Sequence, residues 1–280
     1  MRFLSYISNM TKNLDKYGFK SIVESYDLFF IDIWGVVHNG IMLHDNAIKV
    51  LENLSNLNKE FILLTNAPRP NKTVVNFLKE MGLKNFFENV FTSGEAALKY
   101  LIKELKNQKF FHIGPSRDFD LFKSFEKNKV LNIQDADYLL CTGLFEDSSD
   151  DLNYYKNLFS KYTSKKMICT NPDLIVDRGN QREHCAGAVA KSFEEIEGEV
   201  IYFGKPHPPV YNLSSEIKNK KILCVGDNLN TDIKGANIQN YDSLLITSGI
   251  HRSEISKIKL NNVLEKYKVT IDYFQTSLKW

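Results

Sequence analysis

The sequence lacks most of the features that point directly to a function class. It contains no run of 18 consecutive apolar residues, so no membrane-crossing helix is expected. Its opening residues, MRFLSYISNMTKNLDKYGF, interrupt their apolar positions with Ser, Asn and Thr and offer no small-residue cleavage site. A secretory signal is therefore not expected, and the sequence reads as cytoplasmic. The four cysteines, Cys141, Cys169, Cys185 and Cys224, are few, and no two stand at CxxC spacing. Three of them lie in apolar runs, which predicts reduced core thiols and neither a zinc site nor a disulfide frame. Thirty-six Lys and Arg against 34 Asp and Glu leave a net charge of +2. That balance argues against nucleic acid or a membrane surface as a partner. Internal repeats and low-complexity tracts are missing as well. A P-loop fails because Glu199, not Gly, stands five residues before Gly204. No GxGxxG follows a strand-like run, and GxSxG is absent. GDNLNTD opens like a calcium loop but has Leu229 at the third position and Ile238 at the twelfth.

What is present is an ordinary globular composition, 43% hydrophobic and 25% charged over 280 residues. Such a length buries roughly 75% of its unfolded surface, enough for a core without metal or disulfide support. Short β-branched and aromatic runs alternate with segments of helical period. LFFIDIW (28–34), FILLT (61–65), VIYFG (200–204), KILCVG (221–226) and SLLITSG (243–249) read as strands. Ile48, Leu51, Leu54 and Leu57 predict one helix face. Val74, Val75, Leu78 and Met81 predict another, stopped by Gly82. Continuous apolar strands alternating with helices predict an α/β fold with a parallel sheet covered on both faces.

Ligands in such folds bind beyond the carboxyl ends of the strands. The polar residues there are Asp32, Thr65 with Asn66, Lys205, and Asp227. Their complementary charges suggest two aspartates and a lysine at the mouth of one sheet. The 140-position separation of Thr65 and Lys205 far exceeds the roughly 30 residues of one βαβ unit. They hold strand-like runs of their own, KFFHIG, YLLCTG and KMICT. An inserted domain over 87–198 is therefore expected, with a core from 1–86 and 199–280. Five of the seven prolines, Pro68, Pro70, Pro206, Pro208 and Pro209, follow these site residues, and fixed φ angles there stiffen the loops.

FFIDIWGVVHNG, LLTNAPRP, YFGKPHPPVY and CVGDNLNTDIKGA, in that order, resemble the four motifs of the haloacid dehalogenase (HAD) superfamily. The long insertion and TNPD at 170–173 are similar to its class IIA branch, which includes nucleotide, sugar-phosphate and pyridoxal-phosphate phosphatases. The resemblance implies a Rossmann-like core with an inserted α/β cap and a Mg²⁺-dependent phosphatase of small phosphorylated metabolites. By this resemblance Asp32 is the nucleophile. Asp227, Asp232 and the carbonyl of Trp34 join Asp32 around Mg²⁺, a cation that prefers hard oxygen ligands and keeps several waters. Asp232 also reads as a helix cap. The hydroxyl of Thr65 and the backbone N–H of Asn66 would bind phosphate oxygens, and Lys205 would neutralise charge. Asn171 and Asp173 would be cap contacts to substrate, and a homodimer through the cap is a further expectation.

One position departs from the usual pattern. Where most HAD phosphatases carry D-x-D, this chain has Asp32-Ile33-Trp34. Indole donates a hydrogen bond but is no acid near neutral pH. The D-x-W-G-V form resembles a poorly characterised class IIA subgroup. General acid help is typically worth 10²–10⁴-fold, so its loss favours substrates with good leaving groups. His38, six residues after Asp32, is the best-placed substitute acid by sequence and equally a loop or substrate contact. Two alternatives stay open. One is a catalytically weak fold that binds a phosphometabolite or protein partner. The other is a phosphotransferase to an acceptor other than water.

Overall fold

The structure, a computed structural model, describes residues 11–146, 151–178 and 181–280, the side chains of 177, 178 and 181 excepted. Its strands are β1 (Lys12–Asn13), β2 (Leu28–Ile31), β3 (Glu60–Thr65), β4 (Val90–Thr92), β5 (Phe110–Ile113), β6 (Tyr138–Cys141), β7 (Lys166–Cys169), β8 (Ile175–Arg178), β9 (Gln181–His184), β10 (Val200–Tyr202), β11 (Ile222–Gly226), β12 (Asp242–Ile246) and β13 (Tyr273–Gln275). The helices that matter below are α1 (Asp45–Asn56), α2 (Asn71–Glu80), α3 (Ser93–Glu104), α4 (Leu152–Phe159) and α5 (Ala186–Glu194). The chain divides into two compact units, 1–64 with 216–280, and 65–215.

In the first unit a parallel sheet runs in the order β1-β13-β12-β11-β2-β3. All of Leu28–Ile31 and Ile222–Gly226 is buried, as parallel strands covered on both faces require. Ile31 pairs in register with Val225 on one side and Leu63 on the other. Asp32 and Asp227 therefore emerge just past the carboxyl ends of adjacent strands. The buried face of α1 is Ala47, Val50, Leu51 and Leu54, the i, i+3, i+4, i+7 stripe of a 3.6 period. Leu51 and Leu54 belong to the expected face, and its other two members are corrected. Ile48 is only partly buried, and Leu57 caps the helix with 46% of its surface exposed.

The second unit carries its own parallel sheet, in the order β10-β7-β6-β5, and an antiparallel hairpin of β8 and β9. Its core joins Tyr155 and Phe159 of α4 and Val189 and Phe193 of α5 to Leu139, Cys141, Met167 and Cys169 of the sheet. Helix α2 buries Val74 and Leu78 and stops before Gly82, whose φ of +102° suits glycine. VIYFG is a strand, but not of the sheet that carries Asp32: Val200, Ile201 and Tyr202 pair with Met167, Ile168 and Cys169. Lys205 thus follows a strand of the second sheet, and the expectation of two aspartates and a lysine at the mouth of one sheet is corrected. All four cysteines are free thiols, with Cys141, Cys169 and Cys224 buried. Among the described residues no helix is long and apolar enough to cross a membrane.

Candidate active site

In the first unit Asp32, Asp227 and Asp232 converge. All three are buried, and one ligand oxygen from each lies within 4.8 Å of the others. Each is placed by backbone geometry. The N–H of Asp32 donates to Val225 O at 2.8 Å, extending the β2–β11 ladder by one residue. Asp227 accepts a hydrogen bond at Oδ2 from Ile250 N–H at 2.8 Å. A Cβ on Gly35 would stand 2.2 Å from that same oxygen, and one on Gly249 only 2.0 Å. The Asp227 carboxylate is therefore seated in a cradle that only two glycines leave open. Asp232 belongs to a π-helical turn, Leu229–Ile233, and its Oδ2 accepts from Asn228 N–H at 3.0 Å. The N-cap of this turn is Asn228 and not Asp232, whose side chain accepts the N–H of that cap residue while it belongs to the carboxylate cluster. Gly226 makes room for it, since a Cβ there would lie 2.1 Å from Asp232 Cγ.

Three buried carboxylates at this separation repel, and burial raises the cost of their charge. An all-oxygen donor set of this kind suits a hard divalent cation such as Mg²⁺, which these three carboxylates would hold.

The loop after Asp32 folds back tightly. Val37 and His38 N–H groups donate to Ile33 O, and Gly35 N–H donates to His38 O at 2.7 Å. The Trp34 indole packs edge-on to His38 with ring centroids 5.0 Å apart, and Gly40 passes so close that a Cβ would lie 2.7 Å from Trp34 Cζ2. His38 is buried, and its Nδ1 accepts from Gly40 N–H at 2.8 Å. Desolvation, helped by the nearby His44, pushes its pKa down to about 4. A neutral imidazole with Nδ1 as acceptor carries its proton on Nε2 and is a weak proton donor at neutral pH. His38 thus fits an orienting role better than that of a substitute acid.

In the second unit Asn66, Asn171, Asp173 and Lys205 come together. The Asn66 side chain clamps the Lys205 main chain from both sides. Its Oδ1 accepts Lys205 N–H at 2.7 Å and its Nδ2 donates to Lys205 O at 2.9 Å. Nδ2 also reaches Asp173 Oδ1 at 3.3 Å. Asn171 Oδ1 accepts Asp173 N–H at 2.9 Å, closing the turn that presents Asp173. Gly204, at φ +116°, is required: a Cβ would meet Pro172 at 2.6 Å and Asn66 Oδ1 at 2.7 Å. Thr65 ends β3, buried, and its Oγ1 accepts Ala67 N–H at 3.3 Å, so its own proton stays available for an anionic oxygen. Reading the sequence assigned Asn66 through its backbone N–H; the clamping side chain was missed.

Also missed were Gly35, Gly249 and His251. His251 is buried, and its Nε2 accepts Leu229 N–H at 3.2 Å, anchoring the turn that bears Asp232. Its Nδ1 faces Glu254 at 3.8 Å, and Glu254 in turn accepts from Tyr267 Oη and Lys266 Nζ. No ligand-like spacing surrounds His251 in the sequence, so only the folded geometry reveals this anchor.

Residues 29–126 match the family model described as haloacid dehalogenase-like hydrolase, and 202–270 match a second, described as HAD-hydrolase-like. A solved haloacid dehalogenase-like hydrolase from Brucella suis 1330 is 30% identical. It covers 93% of this chain and 98% of its own, with a TM-score of 0.80. Phosphoglycolate phosphatase 2 from Arabidopsis thaliana is 23% identical over 95% of each chain. A 4-nitrophenylphosphatase from Schizosaccharomyces pombe is 23% identical, over 93% of this chain and 94% of its own.

Proposed function

Because the chain belongs to the haloacid dehalogenase-like hydrolase family, we propose that it is a Mg²⁺-dependent phosphatase of small phosphorylated metabolites, working through an aspartyl-phosphate on Asp32. The observation that carries this reading is the buried triad of Asp32, Asp227 and Asp232. Similarity to a phosphoglycolate phosphatase and a 4-nitrophenylphosphatase adds support for phosphate esters as substrates.

In this reading Asp32, Asp227 and Asp232, with the carbonyl of Trp34, hold Mg²⁺, which supplies charge neutralisation for the incoming phosphate. A carboxylate oxygen of Asp32 attacks phosphorus, the bond from phosphorus to the ester oxygen breaks, and the alcohol departs. Water then attacks the aspartyl-phosphate, releasing inorganic phosphate and restoring Asp32. Thr65 donates its hydroxyl proton to a phosphate oxygen and the N–H of Asn66 donates to another. Lys205, its main chain fixed by the Asn66 clamp, offsets the charge that develops on the transferring group. Residues 87–198 form the cap over the substrate, Asn171 and Asp173 contribute contacts from it, and His38 orients the substrate side of the Trp34 loop.

Trp34 decides the substrate range. Its indole cannot protonate a leaving alkoxide, and His38 is held neutral. Esters whose leaving oxygen departs unaided are therefore favoured. The test is phosphate release from aryl and alkyl phosphates with Mg²⁺ and with EDTA, beside Asp32→Asn. Mg²⁺-dependent turnover that is lost in the variant and falls steeply from aryl to alkyl esters is expected. Equal rates across that series would refute the role given to Trp34. The same residue favours a second reading, phosphoryl transfer to an acceptor other than water or simple binding of a phosphometabolite. Product release that depends on an added acceptor, or binding without turnover, distinguishes it.

A further inference from the structure

The loop leaving β3 is pinned at several points within the second unit. Gly94 N–H donates to Ala67 O at 3.0 Å, and the Thr92 hydroxyl donates to Arg69 O at 2.5 Å. A Cβ on Gly94 would stand 2.3 Å from Arg69 N, so the two segments touch backbone to backbone. Arg69 is thereby fixed at its base. Its side chain is fixed too, by an Nε hydrogen bond of 3.0 Å to Asp118 Oδ1.

Asp118 sits in the 3₁₀ segment Ser116–Leu121 that follows β5. Its carboxylate is only 4% exposed, whereas the Arg69 side chain is 27% exposed. Burial raises the Asp118 pKa, against the lowering effects of Arg69, Thr142 and the neighbouring Arg117. Behind it lies a packed polar floor. His112 Nε2 and Thr142 Oγ1 are 2.9 Å apart, and a Cβ on Gly114 would meet Thr142 Oγ1 at 2.0 Å. The acidic groups nearby have other partners, Asp120 accepting from Thr73 and Glu146 from Ser116.

A guanidinium has five N–H donors in a rigid fork. Nε takes Asp118, and among the described residues the two Nη groups donate to nothing. An arginine serving only a buried carboxylate gains most from bidentate pairing, so a single Nε bond leaves the Nη half of the fork unused. That half is the geometry that grips a carboxylate or phosphate. Thr65 and Arg69 are four residues apart, so their Cα atoms lie at most about 14 Å apart.

We propose that Arg69, held by Asp118, is a specificity-determining residue that receives a second anionic group, carboxylate or phosphate, at the end of the substrate remote from its scissile phosphate. The inference rests on the phosphatase reading and narrows its substrate class to small phosphomonoesters carrying a second negative group.

The test uses the whole chain and a matched three-carbon set: propyl phosphate, 3-phosphonooxypropanoate and 1,3-propanediol bisphosphate. For wild type, Arg69→Gln and Arg69→Lys, kcat/KM is measured on each. Calorimetric Kd values are measured for the same Arg69 residues in an Asp32→Asn background, which needs no turnover. Ratios of each dianionic-tailed or carboxylated ester to propyl phosphate are read within one preparation, so any unfolded fraction cancels. A wild-type preference of at least tenfold is expected for one or both anions, falling at least tenfold in Arg69→Gln and partly restored in Arg69→Lys. Which anion is preferred identifies the group received. A wild-type ratio near one, or a ratio that Arg69→Gln leaves in place, overturns the proposal. If none of the three is hydrolysed while aryl phosphates are, the poor alkoxide leaving groups account for it and the Kd ratios decide the role of Arg69. The phosphatase reading fails only when aryl phosphates are not hydrolysed either.

Discussion

Gly249→Ala isolates the cradle around Asp227 without touching a reacting group. The added Cβ would lie 2.0 Å from Asp227 Oδ2, against 3.4 Å for the near edge of ordinary contact. Carboxylate or backbone must therefore move by about 1.4 Å, the difference of those two distances. Overpacking of this kind costs about 1–3 kcal/mol of stability. A metal ligand must hold its place within about 0.5 Å, and a 1 Å misplacement can cost about 10²-fold in rate. Loss of the Ile250 N–H bond to the same oxygen would follow, since Ile250 is the next residue. The expected outcome is a fall of about 10²-fold in kcat/KM, with a raised Mg²⁺ requirement and a stability loss of only a few kcal/mol. Steady-state kinetics across a Mg²⁺ titration, beside a denaturant melt, separates the two effects. A folded Gly249→Ala protein with wild-type Mg²⁺ dependence would refute the idea that the cradle sets the ligand geometry.

Asn66→Ala removes both bonds to the Lys205 main chain and leaves a buried N–H without its partner, so a loss of about 1–3 kcal/mol in urea unfolding is expected, together with reduced kcat. His251→Ala takes the acceptor from Leu229 N–H and should raise the Mg²⁺ concentration for half-maximal activity several-fold; His251→Gln, which keeps an acceptor, should recover part of it. His112 gives a pH signature. Burial, with Lys129 contributing, lowers its pKa to about 4 from an ordinary 6.5. Its folded pKa is depressed, so its contribution is full above pH 6.5 and is lost as pH falls toward 4, up to roughly 3 kcal/mol at 1.36 kcal/mol per unit. Melting curves from pH 7 to pH 4 should therefore fall less steeply in His112→Gln than in wild type, and parallel curves would exclude this contribution.

The parallel sheets were legible because LFFI and ILCV are too continuously apolar for any strand exposed on one face. Asp32 and Asp227 followed from that, as the first polar residues after buried strands. Lys205 was legible as a motif residue, but its sheet was not. Pairing of Val200 with Met167 is non-local, and three apolar residues carry no mark of their partner. The β8–β9 hairpin escaped notice because IVDR and QREH are short and charged, although the Gly179-Asn180 pair between them is a two-residue hairpin signal in the sequence. Asp232 was legible as a motif residue but read equally as a helix cap, because the π-helical turn that carries it has no sequence signature of its own. Gly35 and Gly249 owe their roles to a carboxylate remote in sequence from both, and His251 to a backbone N–H on another loop. Such roles exist only once the chain has folded.

The central claim is that Asp32 carries the phosphoryl group. Its most direct test is rapid quench of wild type with ³²P-labelled p-nitrophenyl phosphate and Mg²⁺, followed by peptide mapping of the label. Transient label on the peptide containing Asp32, absent with EDTA and absent in Asp32→Asn, is the predicted result. Turnover with no labelled protein at any time point, and with Asp32→Asn still active, would contradict the account.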